Sequence, residues 1–97
     1  MLHHIVLLRW TDEATEQDQE RARTALTALP GQIDAIESYV VGVDAGLDPT
    51  NCDLSIAATF ADEAAWREYQ EHPVHQATIR EVLVPIVAER RAIQYTT

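Results

Sequence analysis

The sequence predicts an α+β fold, a four-stranded antiparallel sheet carrying its helices on one face. Three observations point there. Short runs of alternating or wholly apolar residues recur, stretches with helical spacing lie between them, and turn or capping residues mark the junctions. The length of 97 residues, with 46% apolar and 24% charged side chains, suits a single globular domain over residues 1–97.

Leu2 to Trp10 is rich in large and β-branched apolar residues and runs into turn chemistry at Thr11-Asp12, so it reads as the first strand. Ile5 and Leu7 share one side, and Val6, Leu8 and Trp10 share the other. Both faces are therefore apolar, as in a central strand. Thr15 suits a helix N-cap: Glu16 and Asp18 fall in the first turn, and Ala22, Ala25, Leu26 and Leu29 follow on one stripe. Pro30-Gly31 should stop that helix.

Tyr39, Val41 and Val43 alternate with Ser38, Val40 and Gly42 as a second strand. Gly46, Asp48, Pro49 and Asn51 punctuate the loop that follows. Leu54, Ile56, Ala58 and Phe60 then alternate with Asp53, Ser55, Ala57 and Thr59 as a third. Asp62 caps a helix through about Tyr69, with Ala65, Trp66 and Tyr69 on one stripe. Pro73 suits the first turn of another helix, which includes Ala77, Val82 and Leu83 and is ended or kinked at Pro85. The closing run from Arg90 is a short last strand, with Ile93 and Tyr95 on one side.

Strand, helix, strand, strand, helix pair, strand is the order of a ferredoxin-like sheet. Four strands spaced about 4.8 Å apart span roughly 19 Å. Two helices at about 8 to 10 Å each cover one face of that width and leave the other bare. Because the first strand is apolar on both sides, the bare face is expected to pack on a second copy, as a two-fold homodimer joined sheet to sheet.

Seven arginines, no lysine and sixteen carboxylates leave a formal charge of −9. A polyanion meets a repulsive field over such a surface, so neither nucleic acid nor a membrane is an expected partner. The lone Cys52 excludes an internal disulfide and suits a reducing cytoplasm, the expected location. The N-terminal run has no basic leader or small-residue cleavage site, and no segment approaches the roughly 20 apolar residues of a membrane helix.

The four histidines fall in two groups, His3-His4 and His72-Pro73-Val74-His75. Alternation puts His4 with Val6, Leu8 and Trp10, and His3 with Ile5, Leu7 and Arg9. If helices cover the first of these faces, His4 points into the space between sheet and helices. His75 lies in the first turn after Pro73, where the positive helix end disfavours an imidazolium and leaves a neutral base near pH 7. The bland readings stay open beside these: a satisfied core histidine at position 4, a helix-capping ring at His72, plain packing for Tyr69, Trp10 and Trp66. The three-residue spacing of His72 and His75 could chelate on one helix face, but Pro73 puts His72 outside the helix, and no metal site is expected. Phosphate-cradling loops, a G-x-S-x-G elbow and an activated cysteine are not evident.

The stretches "HIVLLRWTDEAT", "ALPG", "YVVG" and "FADEAAWREYQEHPVHQ", with the short terminal strand, resemble the stress-responsive A/B-barrel family over essentially the whole chain. The resemblance implies a dimeric α+β barrel with a cleft between sheet and helices in each subunit, and it calls for no cofactor. A plant polyketide cyclase of the family uses an acid/base pair that maps onto His4 and His75, with a pocket tyrosine mapping onto Tyr69. Trp10, Trp66 and His72 join these three as candidate ligand contacts. The expected function is binding of a small apolar carbonyl or aromatic ligand, with cyclase-like proton transfer by the histidines as one outcome. A non-catalytic stress protein and a cofactor-free monooxygenase are the alternatives.

Overall fold

The computed structural model describes all 97 residues. Along the chain run β1 (Leu2–Trp10), α1 (Glu16–Ala28), β2 (Ile36–Val43), β3 (Leu54–Phe60), α2 (Glu63–Glu71), α3 (Pro73–Thr78) and β4 (Val87–Thr96). The strands form one antiparallel sheet in the order β2-β3-β1-β4, the ferredoxin-like arrangement. β1 is central, as its two apolar faces require. None of the helices is long and apolar enough to cross a membrane.

Local chemistry sets the helix starts. The Asp18 N–H donates to the Thr15 hydroxyl at 3.1 Å and the Asp18 carboxylate accepts the Thr15 N–H at 3.1 Å, a reciprocal cap on α1. Asp62 accepts the Ala65 N–H at 2.8 Å to start α2. His72 ends α2 and opens α3: its Nδ1 accepts the Val74 N–H at 3.1 Å, and Pro73 occupies the first turn.

Period-two alternation sorts the sheet faces. In β3, Leu54, Ile56, Ala58 and Phe60 are buried while the residues between them are half-buried. Phe60, Leu26, Leu29 and Ile33 are the largest side chains sealed from solvent, and they join α1 to the sheet. On the opposite face Val40, Ala57, Ile5 and Ile93 pair in register across all four strands. No helix covers this apolar row: Val40 and Ile93 are each 62% exposed, and Leu7 and Tyr95 beside them 40% and 47%.

Two expectations need correction. β4 is longer than the run from Arg90, because Val87 already pairs with β1. The Thr11 N–H donates to the Ile86 carbonyl at 2.8 Å, and a register shift at Arg9/Trp10 brings Val87 opposite Trp10. The helix after Pro73 is regular for only six residues. It then widens into a π-helical turn, Ile79–Leu83, where the Val84 N–H reaches back five residues to the Ile79 carbonyl at 2.9 Å. Pro85 lies in the turn after it. The first helix ends at Ala28, and Pro30-Gly31 sit in a single 3₁₀ turn beyond it.

Candidate active site

A cleft of about 310 Å³ opens between the sheet and the helical segment from Tyr69 to Val84. Its walls are mostly aliphatic: Val6, Leu8 and Ile56 from the sheet, Leu26 from α1, Ile79 and Leu83 from the π-helical turn. Five polar residues break that lining, His4 on β1, Tyr69 and Gln70 on α2, His75 on α3 and Arg90 on β4. The volume is at the small end of ligand pockets.

His4 and His75 are 5% and 7% exposed, and the Tyr69 ring lies between them. Its centroid is 4.1 Å from that of His75 and 6.4 Å from that of His4. The Tyr69 hydroxyl hydrogen-bonds the Tyr39 hydroxyl at 3.1 Å, and Phe60 packs against the ring at 5.1 Å. Burial raises both phenols, so Tyr69 is held protonated and oriented.

The two imidazoles carry opposite polarity. Gln94, directly across β4 from His4, donates its amide N–H to His4 Nδ1 at 2.9 Å. With the Gln94 amide so oriented, its nitrogen donates to Nδ1, which assigns the His4 proton to Nε2. His75 Nδ1 lies 3.3 Å from the Gln70 carbonyl, which can only accept. Its proton is therefore on Nδ1, and Nε2 carries the lone pair. One ring offers a donor and the other an acceptor.

Both rings are held neutral. Burial, then Arg90 and His75, lower His4 from its ordinary 6.5 to about 4. His75 is lowered chiefly by burial, with Arg90 and His72 adding to it and the Gln70 carbonyl opposing. Desolvation thus dominates where the helix end was the expected cause.

The other residues singled out from sequence lie elsewhere. Trp10 shares a sheet face with His4 but stands six residues away, roughly 20 Å at about 3.3 Å per residue. It borders a separate hollow with Glu16, Arg23 and Asp53, and its backbone N–H donates to the Asp53 carboxylate at 2.8 Å. His72 does not line the cleft; its ring is engaged as the α3 cap. Trp66 packs near the His4 ring at 6.1 Å but borders a different hollow with Met1 and Leu2, its buried indole N–H unpartnered. Gln94, Arg90 and Tyr39 are the site residues that sequence reasoning missed. Antiparallel pairing of the first and last strands puts Gln94 and Arg90 on the His4 face, and that was the available signal.

The model of the stress responsive A/B barrel domain matches residues 2–97. A dimeric ferredoxin-like protein of unknown function from Thermobifida fusca is 36% identical, superposes with a TM-score of 0.90, and is covered over 90% of its length by 99% of this chain. An uncharacterized protein of Streptomyces coelicolor is 30% identical over 95 residues, 92% of this chain and 97% of that one. A hydroxynitrile lyase from Passiflora edulis shares the fold at 16% identity and a TM-score of 0.85, with 97% of this chain and 90% of that chain covered. By the domain match over nearly its whole length, the chain belongs to the stress responsive A/B barrel family.

Proposed function

We propose that the chain works as a cytoplasmic homodimer and that each subunit takes up a small, largely apolar carbonyl or aromatic ligand in the cleft between sheet and helices. His4 and His75 then act on it by cofactor-free acid/base chemistry. The observation that carries this reading is the pairing of oppositely poised neutral imidazoles on one aliphatic cleft around Tyr69. His75 Nε2 takes a proton from a carbon beside the ligand carbonyl. The His4 Nε2–H donates a hydrogen bond to the oxyanion that forms, and the His75 imidazolium returns its proton to that oxygen in a cyclase-like or lyase-like step. Such groups contribute roughly a hundredfold to ten-thousandfold each. A purely structural role fits less well, since it predicts a space packed shut, against a hollow of about 310 Å³.

Dimerisation rests on the uncovered row of Val40, Ile5 and Ile93. Leaving such side chains wet forfeits about 1.5 to 3 kcal/mol each. Two relatives of this fold are described as dimeric, which supports the same pairing here.

Ring-proton NMR against a panel of aromatic polyketide-like ketones tests the reading. Shifts concentrated at His4 and His75, with His3 and His72 unmoved, are the expected result. No perturbation by any ligand would return the cleft to a structural role. With a substrate in hand, His75→Ala should lose at least a hundredfold in turnover.

A further inference from the structure

We propose that the ligand of this cleft is an anion, an apolar body bearing one carboxylate, and that Arg90 is the residue that selects it. The inference rests on the cleft-binding reading above and adds the charge of what enters.

The chain has sixteen carboxylates for seven arginines, so a cationic surface is the last thing its composition favours. Yet none of the sixteen lines the cleft, and Arg90 does. Arg23, Arg67 and Arg91 each have a carboxylate partner, Glu20, Glu63 and Glu89. Arg90 has none.

The contrast within β4 is direct. Strand alternation turns Glu89 and Arg91 to the outer face, where they pair at 3.0 Å, and turns Arg90 to the helix side among Val84, Val87 and Leu83. Its charge is felt inside: Arg90 opposes protonation of His4 and His75 and favours ionisation of Tyr69. A guanidinium beside aliphatic walls, without an internal counter-charge, presents a forked donor to a planar carboxylate. The negative field of the rest of the molecule would repel such a ligand at long range, so recognition depends on this local cation. The donor on His4 and the lone pair on His75 remain for the carbonyl and the carbon beside it.

The test compares two ligands with the same aromatic ketone, para-acetylbenzoate and para-methylacetophenone, by NMR titration of the full chain. The acid should bind roughly tenfold more tightly, the yield of one charge-assisted hydrogen bond. Only the acid should weaken as salt is raised. Arg90→Gln should abolish the preference, and Arg90→Lys should retain part of it. Arg90 is exposed and unpaired, so these variants should fold. Equal binding of acid and ketone by the unmodified chain, or a preference that survives Arg90→Gln, overturns the charge reading while cleft binding stands. If neither ligand disturbs His4 or His75, both readings fall together.

Discussion

Acidification from pH 7 to 5 should destabilise this protein through His4 before its carboxylates contribute much. In the fold this ring is pulled from its ordinary 6.5 to about 4, mainly by burial. Above 6.5 it is neutral whether the chain is folded or not, and its contribution to stability is intact. Between 6.5 and 4 the unfolded chain binds a proton that the folded chain refuses, so stability falls as pH falls through that window. Each unit is worth about 1.4 kcal/mol per ring, or about 2 kcal/mol for His4 between 6.5 and 5. The cleft is open to water, which screens the charge, and about 1 kcal/mol is the better expectation. His75, lowered for the same reason, adds in the same direction. The assay is urea denaturation at fixed protein concentration across pH 5 to 7, for the unmodified chain and for His4→Gln, whose amide can still meet Gln94. The variant should lose part of the pH slope. An identical slope in both proteins, or an NMR midpoint for His4 at or above 6.5, would refute the reasoning.

Phe60→Ala should cost about 3 to 5 kcal/mol in chemical denaturation, since the ring is sealed from solvent and supports Tyr69 at 5.1 Å. Ile93→Glu should yield monomers by light scattering at micromolar concentration, because it puts a charge at the β4 end of the uncovered apolar row. Gly46→Ala should lose about 1 kcal/mol of stability with the cleft untouched: Gly46 sits at φ 76°, where an L side chain is strained. His72→Ala should cost about 1 kcal/mol by removing the α3 cap while leaving ligand shifts at His4 intact.

The fold was legible where one signal spoke alone. Clean alternation marked β3, and a threonine with an aspartate three residues on marked the start of α1. The start of β4 was not legible, because Val82 to Val87 continues the apolar spacing of the preceding helix until Pro85 turns the chain. Only pairing with β1 identifies Val87 as the start of the strand. For the site, alternation gave the face of His4 but not distance along it, which is why Trp10 was grouped with a cleft it does not reach. Gln94 and Arg90 lie about 90 residues from His4 in sequence; they meet it through a strand pairing that single-residue patterns do not encode.

That pairing also explains how adjacent histidines serve different ends. His3 and His4 point to opposite faces of β1, and period two makes any one-residue slip exchange them. His4 then would leave Gln94 and enter the outer face, while His3, which stacks on Tyr95 at 4.7 Å and meets the Thr97 hydroxyl at 3.1 Å, would enter the cleft. Such a slip is resisted on both sides. β3 and β4 each pair with β1 over most of its length, and the slip would also carry Val6 and Leu8 out of the core. Ile5 and Leu7 would take their places, so apolar burial alone does not fix the register; the ladders on both sides of β1 and the Gln94–His4 hydrogen bond do. The placement of the His4 ring is thus held by strand pairing on both sides of β1, while Val6 and Leu8 on the same face serve as both core and cleft wall.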